Sequence, residues 1–110
     1  MAEPRILPEN EIQPELASLD RWELRDGRLR KQFTFRTFLR AMAFVNSVAY
    51  VAESAGHHPD ITINYNKVTL RIITHSEGAL TDRDFALARQ IDDKLTTKLM
   101  IQPEGEQGAS

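Results

Sequence analysis

Residues 60–75 read Asp60-Ile61-Thr62-Ile63-Asn64-Tyr65-Asn66-Lys67-Val68-Thr69-Leu70-Arg71-Ile72-Ile73-Thr74-His75. Two runs alternate along this stretch. Ile61, Ile63 and Tyr65 face away from Thr62 and Asn64, then Val68, Leu70 and Ile72 face away from Thr69, Arg71 and Ile73. Alternation at period two marks a half-buried strand, and Asn66-Lys67 between the runs supplies a tight turn. The stretch is an antiparallel hairpin, and Ile73 lends some apolar surface to its outer face. Tyr65 on the alternating run is expected to pack in the core.

A second hairpin lies upstream. Trp22 and Leu24 alternate with charged neighbours, and Asp26-Gly27 follows. Asp-Gly between two alternating runs is a strong hairpin signal, because both positions tolerate positive φ. Leu29, Phe33 and Phe35 then form one face against Arg28, Arg30, Gln32 and Thr34, with Lys31 as a polar break in the apolar face.

Between the hairpins the period changes. Phe38, Met42, Val45, Ala49 and Ala52 form a helical stripe flanked by Leu39, Ala41 and Val48. Thr37 suits the N-cap, and Gly56 suits the left-handed position past the end. After the second hairpin, Thr81-Asp82-Arg83-Asp84 resembles a capping box. The stripe Phe85, Ala88, Ile91, Leu95 and Leu99 carries that helix to about residue 99. Ile12, Leu16 and Leu19 suggest a short first helix over 9–19, with Pro14 in its first turn, where a missing N–H does no harm. Residues 1–8 hold two prolines and read as an extended, poorly fixed arm; residues 101–110 read as a disordered tail. The order α-β-β-α-β-β-α predicts one α+β domain over residues 9–100: a four-stranded antiparallel sheet with three helices on one face.

Composition narrows the function. A chain of 110 residues is of ordinary single-domain size. The net charge of −2 gives no general attraction to nucleic acid or anionic membrane. No apolar run approaches the ~20 residues of a membrane span, and Met1–Ile6 does not begin a signal peptide. Absence of cysteine removes disulfides, thiolate chemistry and cysteine-based zinc sites. A soluble, cytoplasmic protein is expected.

The reactive groups gather in one window. All three histidines lie between Glu53 and Asp84, as His57-His58-Pro59 and His75. Histidine is the side chain whose unperturbed pKa, roughly 6.5, permits proton transfer near neutral pH. Each residue also has a plainer explanation. A His-His pair on a loop is commonly solvated surface, Asp84 is equally the third-position carboxylate of a capping box, and Arg83 is a solvated first-turn residue. Glu53 sits in the last turn of its helix, where a negative charge meets the negative end of the dipole; that hints at a local partner or role. Three histidines and Glu53 could supply four metal ligands. Adjacent histidines rarely point the same way, however, and the i,i+4 histidine pair of a zinc helix is absent.

The pattern Glu53-x3-His57-His58-Pro59-x5-Tyr65-x9-His75-x8-Asp84 resembles the signature of the pterin-4a-carbinolamine dehydratases, in their bacterial style. Trp22, Gly27-Arg28, Lys31 to Phe35, Tyr65 to Val68, Thr74-His75-Ser76 and Leu80-Thr81 extend the likeness over roughly residues 15–97. The resemblance implies dehydration of 4a-hydroxytetrahydrobiopterin to quinonoid dihydrobiopterin, without metal or organic cofactor. It implies acid/base work by His57 and His75, and substrate binding by His58, with Glu53 holding an imidazole tautomer or the amide edge of the pterin. Pro59 would fix the loop and Arg83 would add a substrate contact. Asp84 and Tyr65 remain open between structural and site roles. A pterin substrate, a homodimer or homotetramer, and a pathway shared with an aromatic amino-acid hydroxylase are the expected partners. Mammalian members also act as a dimerisation cofactor for a homeodomain transcription factor, so a non-catalytic interaction module is the alternative.

Overall fold

A computed structural model describes residues 3–96, with side chains to residue 94. Its elements follow the expected order: α1 (Glu9–Ala17), β1 (Glu23–Arg25), β2 (Arg28–Thr34), α2 (Phe38–Ala55), β3 (Asp60–Asn64), β4 (Lys67–Ile72) and α3 (Asp82–Thr96). The four strands form one antiparallel sheet in the order β1-β2-β4-β3. Leu29 faces Ile72, Lys31 faces Leu70 and Phe33 faces Val68 across the central pair. Since β4 is antiparallel to both β2 and β3, those two strands run parallel, and α2 crosses over between them. The gap it leaves is filled by the second strand of the later hairpin. Local alternation cannot reveal that order, because it reads one strand at a time.

The core lies between one sheet face and the helices. Leu29, Phe33, Val68, Leu70 and Ile72 meet Phe44 and Val48 of α2 and Phe85, Ala88 and Ile91 of α3, all buried. Phe44 stacks between Phe33 and Phe35, with ring centroids 4.7 and 5.0 Å apart. The buried stripe of α2 is Ala41, Phe44, Val48 and Ala52. This is offset from the expected stripe: Phe38 and Leu39 are exposed, and Phe44, absent from that stripe, is its largest member. Both stripes satisfy helical spacing in a helix this apolar, so periodicity alone does not select the buried one. Thr37 caps α2 by accepting the N–H of Arg40 at 3.1 Å, and Gly56 takes φ 65° at the other end, as expected.

Four local readings change. Lys31 does not interrupt the core; it is 6% exposed and donates to Asp92 of α3 at 3.0 Å, close to the Trp22 and Phe33 rings. The indole N–H of Trp22 donates to the other oxygen of Asp92 at 2.9 Å. Tyr65 is not in the core but in the hairpin turn, 62% exposed with φ 54°. The turn is Tyr65-Asn66, one residue earlier than expected, because buried Asn66 donates its side-chain N–H to the Phe35 carbonyl at 2.7 Å. Pro14 sits inside α1, beyond its first turn. α1 has no buried residue, and Ile12 and Leu16 rest half-buried against the core.

The outer sheet face is polar. Arg30 pairs with Glu23 at 2.6 Å, Gln32 donates to Thr69 at 3.2 Å, and Arg71 donates to Thr62 at 3.2 Å. Ile73, just past β4, is half-buried. The exposed large apolar side chains lie elsewhere, with Phe38, Leu39 and Tyr50 on α2. The described part of the amino-terminal arm is extended but tied down. Leu7 is buried and donates its N–H to Leu80, while Arg5 and Asp82 exchange two hydrogen bonds. The expected helix end near residue 99 and the tail over 101–110 lie outside the described residues.

Candidate functional site

Three segments meet at one end of the sheet. The first begins where α2 stops. The N–H of His57 donates to the Ala52 carbonyl at 3.2 Å across left-handed Gly56. That closure lets the chain leave the helix with His57 and His58 just beyond it. The second is the turn after β4, where Thr74 bridges Ala79 and its carbonyl accepts the N–H groups of Glu77 and Gly78. The third is the first turn of α3. Gly56, His57, His58, Thr74, His75, Ser76 and Arg83 line a cleft of about 250 Å³ between them. Residues 18 apart in sequence, His57 and His75, thus share one cavity with their neighbour His58.

Two carboxylates hold the histidine pair, one each. His57 Nε2 lies 2.6 Å from Oδ1 of Asp84, which is fully buried. His58 Nε2 lies 2.7 Å from Oε2 of Glu53 on the last turn of α2, where both side chains are exposed. The partner suggested by Glu53's unfavourable place on the dipole is therefore His58. Asp84 also performs the capping role expected of it: its Oδ2 accepts the Thr81 N–H at 2.7 Å, and the Thr81 hydroxyl accepts the N–H of Arg83 at 3.2 Å. Capping and histidine contact are not alternatives, since each uses a different oxygen. His75 is exposed at the cleft wall and Pro59, half-buried, leads from the pair into β3.

The structure brings together His57, His58, His75, Glu53, Arg83 and Asp84, and leaves Tyr65 at the hairpin turn outside the cleft lining. It adds Thr74 and Thr81, both buried, whose hydroxyls lie 2.7 Å apart. Thr74 also donates to Asp84 Oδ2 at 2.9 Å. In the sequence they stand out only as positions of the family likeness, Thr74 beside His75 and Thr81 at the start of the capping box, with nothing to show that they meet. Among the described residues no three His, Cys, Asp or Glu side chains gather as a metal-binding group. A larger hollow, about 550 Å³, opens between the end of α1 and the outer face of α3. Its lining includes Asp20, Arg89, Asp92 and Lys94 but no histidine, whereas all three histidines line the smaller cleft.

A small α+β domain with a histidine cleft backed by carboxylates from two helices is the class defined by these features. The chain belongs to the pterin 4 alpha carbinolamine dehydratase family, whose model matches residues 5–94. A provisionally named pterin-4-alpha-carbinolamine dehydratase of Chloroflexus aurantiacus is 48% identical over 87 residues, covering 79% of this chain and 94% of that one. One of Acidobacterium capsulatum is 51% identical over 81 residues, covering 74% and 88%. Among solved structures, a transcriptional coactivator/pterin dehydratase from Brucella melitensis superposes with TM-score 0.76 at 35% identity, over 81% of this chain and 97% of that one. A pterin dehydratase-like RuBisCO assembly factor of the alpha-carboxysome, at 24% identity and TM-score 0.54, shares the fold. No helix among the described residues is long and apolar enough to cross a membrane.

Proposed function

We propose that this chain dehydrates 4a-hydroxytetrahydrobiopterin to quinonoid dihydrobiopterin and water by general acid/base catalysis. The C4a–oxygen bond breaks as the hydroxyl takes a proton and leaves as water. The neighbouring ring nitrogen gives up its hydrogen, and its electron pair completes the new C=N bond. Two groups able to move protons are required, on different sides of the ring system. The observation that carries the reading is the meeting of His57 and His75, from separate segments, in one cleft. Positioned acids and bases of this kind typically contribute ~10²–10⁴ in rate.

In this reading His57 and His75 move the protons. His58, oriented by Glu53, and Arg83 bind the pterin, and Pro59 stiffens the loop between them. Asp84 holds His57 rather than touching substrate. Quinonoid product formation, followed by ultraviolet absorbance with and without chelator, tests the proposal. Acceleration unaffected by chelator supports it, and a chelator-sensitive rate points to a metal instead. The setting proposed is cytoplasmic and homo-oligomeric, in a pathway with an aromatic amino-acid hydroxylase.

A second reading is an interaction module. It is favoured by the coactivator half of the name borne by the Brucella protein and by the exposed Leu39 and Tyr50 of α2. The same assay separates the two, because an interaction module alone leaves the spontaneous dehydration rate unchanged.

A further inference from the structure

Asp84 receives hydrogen bonds from several directions, and their polarity can be counted. The Thr81 backbone N–H is a donor without choice, and it occupies Oδ2 at 2.7 Å. The Thr74 hydroxyl donates to the same oxygen at 2.9 Å. A hydroxyl has one proton to give. The Thr81 hydroxyl also stands 3.5 Å from Oδ2, at the limit of a hydrogen bond; the shorter contact to Oδ2 goes to Thr74, and Thr81 then donates to Thr74 across 2.7 Å. The Thr81 oxygen is free to do so, since it accepts the N–H of Arg83 at 3.2 Å. A single direction runs through the set, from the Arg83 amide to the Thr81 hydroxyl, the Thr74 hydroxyl and then Asp84. Thr74, Thr81 and Asp84 are all buried, so no bulk water competes for these bonds.

Every donor on Oδ2 favours a carboxylate that accepts on all sides. Its other oxygen then faces His57 Nε2 at 2.6 Å, and that contact is satisfied only if Nε2 carries the hydrogen. We propose that Thr74 and Thr81 are positioning residues that fix the proton of His57 on Nε2, leaving Nδ1 as the nitrogen offered to a ligand in the cleft. In the dehydration proposed above, on which this consequence rests, Nδ1 is then the basic atom of His57. Thr74 also joins the two halves of the site. Its hydroxyl reaches His57 through Asp84, while its carbonyl holds the turn that begins with His75 by accepting from Glu77 at 3.0 Å and Gly78 at 2.9 Å.

The full chain with ¹⁵N-labelled histidine, its resonances assigned through His58→Gln and His75→Gln, gives a direct readout. Neutral His57 should show a pyrrole-type Nε2 and a pyridine-type Nδ1, with a slowly exchanging Hε2 resonance. Thr74→Val removes the hydroxyl at similar volume and should broaden or abolish that resonance and mix the tautomers. Thr74→Ser should restore both. If the chain is a dehydratase, Thr74→Val should lower kcat by roughly 10-fold, less than loss of an acid/base group, with KM little changed and with rescue by Ser. Should Thr74→Val not fold, the wild-type tautomer and Thr81→Ala, which keeps the backbone donor but removes the hydroxyl, decide the matter. Hydrogen on Nδ1 in the wild type overturns the proposal. So does an Hε2 resonance unchanged in every folded variant lacking either hydroxyl. An inactive protein with the expected tautomer would leave this inference standing and remove the dehydratase reading.

Discussion

Asp84 Oδ1 lies 2.6 Å from His57 Nε2 while its Oδ2 accepts the Thr81 N–H that opens helix α3. One buried carboxylate thus starts a helix and orients a cleft histidine. The start of α3 cannot shift without moving His57's partner, so helix capping and site geometry are coupled. A residue acting only as a cap would give a stability defect alone. Asp84→Ala should therefore cost at least the ~0.5–2 kcal/mol typical of a lost cap, and should also reduce kcat. Thermal unfolding and turnover of the same variant check this. Full kcat in a destabilised protein would return Asp84 to a purely capping role.

The Trp22–Asp92–Lys31 cluster should contribute strongly to stability. Asp92 accepts from both Trp22 and Lys31, so Asp92→Ala strands a buried ammonium and an indole N–H together. Lys31→Met leaves Asp92 with its Trp22 contact. Breaking a buried pair from one side typically costs about 3–5 kcal/mol. Asp92 keeps some solvent contact, at 21% side-chain exposure, which places the expected loss at or below the lower end. Urea unfolding should rank Asp92→Ala as more destabilising than Lys31→Met. The reverse ranking would mean that the packing of the lysine stem outweighs the charge.

The outer sheet face should give a pH-dependent contribution. The Arg30 hydrogen bond holds the Glu23 carboxyl below its usual range. A carboxyl with a lowered folded-state pKa adds stability above its unfolded pKa, and loses it as pH falls through the folded value. Glu23→Gln should therefore reduce stability slightly at neutral pH, with the difference from wild type vanishing in acid. Denaturation midpoints measured from neutral pH downward test the sign. A gap that widens in acid contradicts it. The effect stays small because Glu23 is 42% exposed.

The chain should self-associate. Edge strands β1 and β3 leave backbone groups open to pairing, and α2 exposes Leu39 and Tyr50. Closed two-fold pairing is the commonest arrangement. Light scattering at micromolar concentration should give twice, or four times, the 12.6 kDa of one chain. A mass of one chain would refute the oligomer.

Much of the fold was legible because it is written in local signals. Asp26-Gly27 turned the first hairpin, with φ 54° and 75°, and Thr37 and Gly56 bounded α2. What escaped was decided at a distance. Lys31 looked like a flaw in its strand because its partner, Asp92, is 61 residues away. Tyr65 looked like core because alternation continues through it; the bond from Asn66 to Phe35, across 31 residues, puts the turn there instead. Phe44 falls outside the expected stripe because a helix this apolar offers more than one. At the cleft, residue types and spacing singled out the three histidines that share it, but their pairing did not follow from spacing. Glu53 stands four residues before His57 yet bonds His58, and His57 turns to Asp84, 27 residues on.

The rate of 4a-hydroxytetrahydropterin dehydration, compared across wild type, His57→Ala, His75→Ala and His58→Ala, tests the central claim most directly. A proton-transfer group acts mainly in the transition state. Wild type should exceed the spontaneous rate, His57→Ala and His75→Ala should lose kcat far more than they raise KM, and His58→Ala should chiefly raise KM. Wild type no faster than the spontaneous reaction, or both His57→Ala and His75→Ala retaining wild-type kcat, would contradict the account.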